Sequence, residues 1–189
     1  MKSFAKILLA LIISFAAFAF AQDTYTNDPI RTFVTYRAGF GTFGYELGSF
    51  DQASFTFTVD TNDASKNTVN FSVEAGSVNT GNDKRNSDMT GPDMLDAVQF
   101  PTIDFKSTSV KDTGDGNLEI TGDITIHGVT KSITVNAQKV GEGDDFQGKH
   151  RIGYFITLSF NRQDYGMTGF AGAVGDIIDI TIAANGVKQ

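Results

Sequence analysis

The sequence predicts an all-β protein, an eight-stranded antiparallel barrel with a short helical insertion around residues 91–98. Apolar and polar residues alternate with a period of two through most of the chain, whereas helical periodicity is almost absent. Clusters of Gly, Asn and Asp separate the alternating segments at short intervals. Short connections make neighbouring strands antiparallel, and eight such strands can close into a barrel that has no free edge.

The first 21 residues have the pattern of a secretory signal peptide. Lys2 and Lys6 precede an apolar run over residues 7–20, and an A-x-A site ends at Ala21. The run is shorter than the ~20 residues of a membrane-spanning helix, so we do not expect an integral membrane protein. Residues 22–189 then form a single mature domain, located in the periplasm or secreted.

Composition narrows the function of this domain. The whole chain has a net charge of −7, and loss of Lys2 and Lys6 makes it more acidic, which argues against nucleic acid as a partner. There is no cysteine, so thiolate metal sites and redox motifs are excluded. Of the 17 phenylalanines, the 13 that lie in residues 22–189 need either a core or a ligand to cover them.

Eight alternating segments carry the strand prediction. In the second, Ala53, Phe55, Phe57 and Val59 share one face, and small polar residues form the other. The first continues through a glycine-rich stretch, residues 39–44, that permits a sharp bend. The predicted strands cover residues 33–39, 53–59, 67–76, 103–110, 117–126, 129–140, 151–160 and 177–183.

Residues 84–100 interrupt the strand series. They show no alternation, and Pro92 follows Gly91 in a position typical of the first turn of a helix. We therefore expect a loop with one or two helical turns here.

Alternation does not by itself say which face of a barrel is inside. An outer-membrane barrel would turn its apolar face to lipid, and a β-sandwich is the structural rival of any barrel. The chain ends at Gln189 without a terminal aromatic residue, and its phenylalanines are spread along the strands rather than gathered at strand ends. These features favour a soluble, lipocalin-like barrel whose apolar interior is either a filled core or a lined cavity.

Catalytic motifs are weak. His127 and His150 are far apart in sequence, there is no G-x-S-x-G elbow, and no metal or cofactor is predicted. Residues 112–117 (DTGDGN) resemble part of a calcium loop but lack its closing Glu, so a glycine-rich turn is the better interpretation. A binding protein, not an enzyme, is expected.

The segment 122–135 (GDITIHGVTKSITV) predicts a tight hairpin. Ile124 and Ile126 are even-numbered, whereas Ile133 and Val135 are odd-numbered, so a shared inner face requires a loop of even length. A two-residue loop beginning at His127 or Gly128 satisfies this. His127 then lies in the turn or on the wet face, and marks the register rather than a chemical site.

Four segments together resemble the YceI-like family. These are the hairpin 122–135, residues 161–167 (NRQDYGM), residues 174–180 (VGDIIDI) and residues 99–108 (QFPTIDFKST). Their order and spacing agree with the family across residues 25–187. The resemblance implies an exported lipocalin-like barrel whose hydrophobic channel binds a polyisoprenoid or another amphipathic lipid, without catalysis.

Two family motifs depart from the pattern. Where the family has His-x-G, this chain has Arg37-Ala38-Gly39, and of R-D-x-H-L only Arg85 matches, with Met89 in place of Leu. These segments lie near the channel mouth in relatives, so the head-group preference is not carried over.

The predicted site is an apolar channel that binds an isoprenoid or fatty-acyl lipid. Met89, Met94 and Leu95 are expected to close one end, and Arg37 and Arg85 are candidates for a head-group contact. The alternative is a stress-related or interaction module with a filled core, and a homodimer stays open. The predicted barrel-wall contacts are Phe55, Phe57, Phe71, Phe105, Ile124, Ile126 and Phe160.

Overall fold

The computed structural model describes residues 22–60 and 62–189 and shows a closed antiparallel β-barrel. The predicted signal peptide, residues 1–21, lies outside the described residues. Eleven strand segments of the described part of the chain form one sheet. They are β1 (Asp23–Asn27), β2 (Phe33–Phe40), β3 (Gly44–Phe50), β4 (Ala53–Val59), β5 (Thr68–Glu74), β6 (Val78–Asn79), β7 (Thr102–Gly114), β8 (Asn117–Ile126), β9 (Val129–Asp144), β10 (His150–Asn161) and β11 (Val174–Lys188).

The eleven segments amount to eight strands because three are bent. The chain bends around Pro29 between β1 and β2, at Asp51 and Gln52 between β3 and β4, and in a 3-10 turn, Ala75–Ser77, between β5 and β6. One edge of β11 pairs with β10, and the other pairs with β2 and then with β1. This last pairing closes the ring, so the eight-stranded barrel prediction is confirmed and the sandwich is excluded.

The hairpin prediction is also confirmed. Ile126 lies opposite Val129, and a two-residue loop of His127 and Gly128 joins β8 to β9. Both loop residues have positive φ, 49° and 74°. This is the turn geometry that matches the twist of the flanking strands.

The short helix α1 (Asp83–Met89) begins earlier than the predicted helical turns around residues 91–98. The Asn82 side chain accepts a hydrogen bond from the Arg85 amide, which satisfies one of the free donors at the helix start. Pro92 instead follows in a series of turns that runs to Gln99, within which Asp96 has a φ of 43°. The sequence interpretation gave weight to the proline and overlooked the capping asparagine.

β1 and β3, like the two-residue β6, were missed in the sequence. β1 (DTYTN) contains a single apolar side chain, Tyr25, which is too little for an alternation signal. β3 (GYELGSF) has a glycine where its inner face meets the Tyr36 ring. Both are held by their neighbours rather than by their own propensity.

The two ends of the barrel are closed differently. At one end, α1, the turns after it and the 3-10 turn Arg162–Tyr165 pack with Tyr36 and Ile126; we call this the α1 end. At the opposite end, Tyr25, Phe57 and Ile152 form a compact cluster. The strands between these two ends enclose the site described next.

Candidate apolar ligand cavity

A cavity of about 350 Å³ occupies the barrel interior between its packed ends. Its wall comes from inward positions of nearly all the strands and is almost entirely apolar. All ten apolar residues predicted from sequence line it: Phe55, Phe57, Phe71, Met89, Met94, Leu95, Phe105, Ile124, Ile126 and Phe160. The structure therefore brings the predicted set together around one space.

Several of these side chains are only half-buried although their strands point them inward. Phe71, Phe105, Ile124 and Phe160 keep accessible surface, whereas Phe55 and Phe57 on the same wall are buried. Side chains of a filled core would be enclosed on every side, since protein interiors pack densely. The remaining surface is that of a cavity wall.

Aromatic stacking makes one side of the cavity rigid. The Tyr25 and Phe57 rings stack with centroids 4.9 Å apart, and the Phe55 and Phe71 rings are near parallel at 6.3 Å. Tyr154 meets Phe57 edge-on at 6.0 Å. These contacts fix the closed end of the cavity, because each ring limits the rotation of the next.

Met94 and Leu95 close the α1 end. They are 2% and 5% exposed, and both line the cavity together with the half-buried Met89. The backbone turns of residues 91–97 hold them there through hydrogen bonds such as that from the Leu95 amide to the Met89 carbonyl, 3.0 Å.

Polar groups reach the cavity mainly at this same end. Arg85 on α1 forms an ion pair with Glu46 on β3, and both line the cavity next to Asp88. The pair is partly exposed, so it joins the apolar wall to solvent. An amphipathic ligand would meet these charges where its chain ends.

Arg37, the other head-group candidate, lies on the outer face of the barrel and does not line the cavity. It donates two hydrogen bonds to Asp179 and lies over the Tyr45 ring at 4.6 Å. Its neighbours Tyr36 and Ala38 point inward, so alternation along β2 turns Arg37 outward. Parity along this strand could have shown this from sequence.

Sequence reasoning missed two tyrosines in the wall, Tyr36 and Tyr154. Burial raises the pKa of both phenols, that of Tyr154 to about 12. A phenol is neutral near pH 7 even at its ordinary pKa, so the shift leaves both tyrosines as neutral side chains in an apolar wall. Tyr36 has the same parity as Val34 and Ala38, which was a readable signal.

Arg162 was also missed as a structural residue. It is 0% exposed and donates to the backbone oxygens of Met167, Gly169, Val174 and Gly175, at 2.6 to 3.2 Å. A lone arginine after a strand gives no sequence signal of burial, since charged residues are usually exposed. Here it fastens the loop that covers the α1 end.

His127 lies outside the cavity lining. Its Nδ1 is 3.0 Å from the Tyr165 carbonyl oxygen, and its ring meets Phe100 edge-on at 4.9 Å. It therefore ties the β8–β9 turn to the 3-10 turn after β10. This agrees with its interpretation as a register residue.

Within residues 22–60 and 62–189, no three His, Asp or Glu side chains are grouped to hold a metal ion. In the same part of the chain no helix is long and apolar enough to cross a membrane.

Residues 25–185 match the YceI-like domain. The chain belongs to the YceI-like family. It is 31% identical to a protein named YceI from Escherichia coli O17:K52:H18, over all of this chain and 98% of that protein. It is also 31% identical to a UPF0312 protein of Shewanella sp. (strain W3-18-1), over 98% of this chain and 96% of that protein.

Solved structures share the YceI-like barrel. BcnA of Burkholderia cenocepacia superposes with a TM-score of 0.75 at 19% identity, covering 84% of this chain and 98% of that one. A polyisoprenoid binding domain from Saccharophagus degradans, implicated in plant cell wall breakdown, gives 0.66 at 18% identity, covering 87% and 98%. At these identities the likeness shows the common fold alone. The family resemblance expected from the four motifs is confirmed by the match of residues 25–185 to the YceI-like domain.

Proposed function

We propose that this YceI-like protein is exported and holds a polyisoprenoid or another long-chain amphipathic lipid in its barrel cavity. The observation that carries the proposal is the apolar cavity of about 350 Å³ enclosed by the strands. This volume lies within the roughly 300–1,000 Å³ of small-molecule sites. Its wall offers hydrophobic contact over its whole length, which suits an alkyl or prenyl chain.

Apolar burial alone is enough to hold such a chain. Each methylene transferred from water contributes about 0.8 kcal/mol, so a chain of ten carbons gains several kcal/mol without any ionic contact. The candidate chain contacts are the ten predicted wall residues named above. Catalysis is not part of the proposal.

A polar head group would lie at the α1 end, beside Arg85 and Glu46. Their ion pair is partly exposed at the cavity rim, so an anionic head group could replace Glu46 as the partner of Arg85. Arg37 is not included, because it lies on the outer face and is already paired with Asp179. The polyisoprenoid binding domain with the same fold supports the choice of ligand class.

The alternative, a module with a filled core, is disfavoured by the cavity itself. A filled barrel would have phenylalanine side chains along its axis, whereas here Phe71, Phe105 and Phe160 line an open space. A homodimer is compatible with this proposal and is not required by it.

Export rests on the signal-peptide pattern of residues 1–21. We expect the protein recovered from outside the cytoplasm to begin at Gln22, as measured by intact mass. A protein that keeps residues 1–21 would contradict the export proposal.

Extraction tests the binding proposal directly. The purified mature protein is extracted with organic solvent and analysed by mass spectrometry, and the delipidated protein is titrated with dansyl-labelled undecanoic acid and a farnesyl probe. We expect a co-purified lipid or saturable binding of at least one probe. A blank extract together with no binding of either probe would overturn the proposal.

A further inference from the structure

The barrel wall contains a slot between β9 and β10. The two strands pair from His150 opposite Asp144 up to Ile156 opposite Ala137, and no ladder pair continues the series in the described residues. Both strands nevertheless run on towards the α1 end. Each keeps its other neighbour, as Val129 on β9 still lies opposite Ile126 and Asn161 on β10 still lies opposite Ile177.

A separate cavity of about 350 Å³ occupies this slot. It has two kinds of wall residue. The outward positions, which we call the lips of the slot, are polar, and the inward positions are apolar. The outward group is Thr134, Asn136, Thr157 and Ser159, and the inward group is Ile133, Val135, Leu158 and Phe160.

The slot adjoins the ligand cavity. Ile133, Val135, Leu158 and Phe160 line both spaces, as does Ile124. A chain passing between the polar lips would therefore meet the cavity wall directly. Polar lips outside and apolar residues inside match a molecule that keeps its head in water while its tail moves inward.

At other places where strand pairing is interrupted, another segment of the chain covers the gap. Between β6 and β7 the excursion through α1 fills the wall, anchored by the Ala75 amide on the Pro101 carbonyl, 2.9 Å. Beyond the start of β5, the 3-10 turn Ala64–Lys66 packs against β7, and the Val69 amide donates to Ser107 Oγ, 2.8 Å. Among residues 22–60 and 62–189, the slot is covered only at its end near the 3-10 turn Arg162–Tyr165, where Tyr165 packs edge-on against Phe160 at 5.4 Å.

The two ends of the barrel are harder to open. Passage at the α1 end runs past the Arg85–Glu46 ion pair at the cavity rim and the buried Met94 and Leu95, and the opposite end is packed with Tyr25 and Phe57. At the slot no ladder hydrogen bonds need to break, since β9 and β10 are unpaired there. Unpaired backbone N–H and C=O groups at a strand edge cost stability unless water or a partner forms hydrogen bonds with them. An unpaired edge beside an apolar cavity therefore indicates a functional opening.

We propose that the slot between β9 and β10 is the portal through which the lipid chain enters and leaves the barrel. This inference rests on the proposed lipid-binding function and adds the route to it. The head group travels along the lips formed by Thr134 and Ser159, and the tail passes between Val135 and Leu158.

Cross-linking across the slot tests the portal. The chain has no cysteine, so Thr134→Cys with Ser159→Cys gives a unique thiol pair across the slot, extrapolated from the register of Ala137 and Ile156. A short bismaleimide bridges the two thiols. The matched control is Thr125→Cys with Thr130→Cys, a directly opposed pair on β8 and β9 that is already in the ladder.

Stopped-flow exchange of dansyl-labelled undecanoic acid is measured before and after bridging, with circular dichroism as the check of folding. We expect the bridged slot pair to lower both association and dissociation rates by about tenfold or more, with the Kd nearly unchanged, because a route alters kinetics and not the end states. The bridged control keeps the wild-type rates.

Two results would overturn the inference in distinguishable ways. Unchanged exchange rates in a bridged, folded slot variant mean that lipid enters elsewhere, and binding itself still stands. Absence of probe binding in every variant and in the wild type overturns the proposed function and the portal with it.

Discussion

Arg162 shows how one buried charge organises the α1 end. Its guanidinium has no exposed surface and donates to four backbone oxygens of residues 167–175. Removing the donor leaves one buried and three partly buried carbonyls without this partner, which costs more than the bonds themselves contributed. The residue thus stabilises a loop that has little apolar surface of its own.

We expect Arg162→Ala to lower the free energy of unfolding by about 3 kcal/mol or more. Arg37→Ala is the matched control, since Arg37 makes an exposed pair with Asp179 and its loss should change stability far less. Urea denaturation followed by circular dichroism measures both. Equal effects of the two substitutions would contradict the role given to Arg162.

The lowered pKa of Asp28 predicts how the stability of the fold depends on pH. Hydrogen bonds from Arg151 above all, and also from Arg31, lower the pKa of Asp28 to about 2. An aspartate in the unfolded chain has a pKa of about 3.9. Because the folded pKa is the lower one, this contribution is complete above the unfolded pKa and is lost as pH falls towards about 2.

We therefore expect Asp28→Asn to be less stable than wild type at pH 7 and to lose less further stability between pH 5 and pH 2. Asp123→Asn is the control, because that exposed carboxylate makes no ion pair with the described residues. Thermal unfolding across this pH range is the measurement. Parallel wild-type and Asp28→Asn profiles would show that the expected linkage is absent.

At the scale of elements, the β8–β9 turn sets which side chains face the cavity. Its two residues fix the register that places Ile124 and Ile126 on the same wall as Ile133 and Val135. A one-residue slip would turn every side chain of a strand to the other face. The turn is thus a determinant of the site although neither of its residues lines the cavity.

Gly128→Ala is expected to destabilise the protein by about 1–2 kcal/mol. Gly128 has a φ of 74°, and an added Cβ would come within 2.5 Å of the Phe100 ring. The control is Gly141→Ala in β9, where no positive φ is needed and no atom lies within 4 Å of the added Cβ. Chemical denaturation should separate the two, and comparable stabilities would count against a strained turn.

At the scale of the whole molecule, closure of the sheet into a barrel gathers the alternate apolar side chains of every strand around one interior. Each strand contributes inward side chains, and packing at both ends leaves the space between them open. Neighbouring residues on one strand then lie on opposite faces of the barrel wall. Ala184 lines the cavity, whereas Ala183 lies on the outer face opposite Phe33.

We expect Ala184→Phe to weaken binding of dansyl-labelled undecanoic acid by about tenfold, and Ala183→Phe to leave it unchanged. The added ring would displace roughly two methylenes of the bound chain at about 0.8 kcal/mol each. Fluorescence titration gives both Kd values, with unfolding curves to verify that each variant is folded. Equal affinities for the two variants would mean that the probe binds outside the barrel.

The sequence by itself determined the class of fold and the inner face of most strands. Period-two alternation, turn residues and the even-length hairpin loop depend only on local geometry, so they can be read without a structure. They identified ten wall residues that the structure places around one cavity.

Only the tertiary structure decided the remaining features. The burial of Arg162, the pairing of Arg37 with Asp179, and the slot between β9 and β10 depend on segments far apart in the chain. Whether an apolar interior is filled or hollow depends on how large side chains from eight strands meet, which no single strand specifies. The physical reason is the same in each case. Alternation within a strand decides which side chains point inward, whereas the cavity, the ion pairs and the gap in the sheet form only when distant strands meet as the barrel closes.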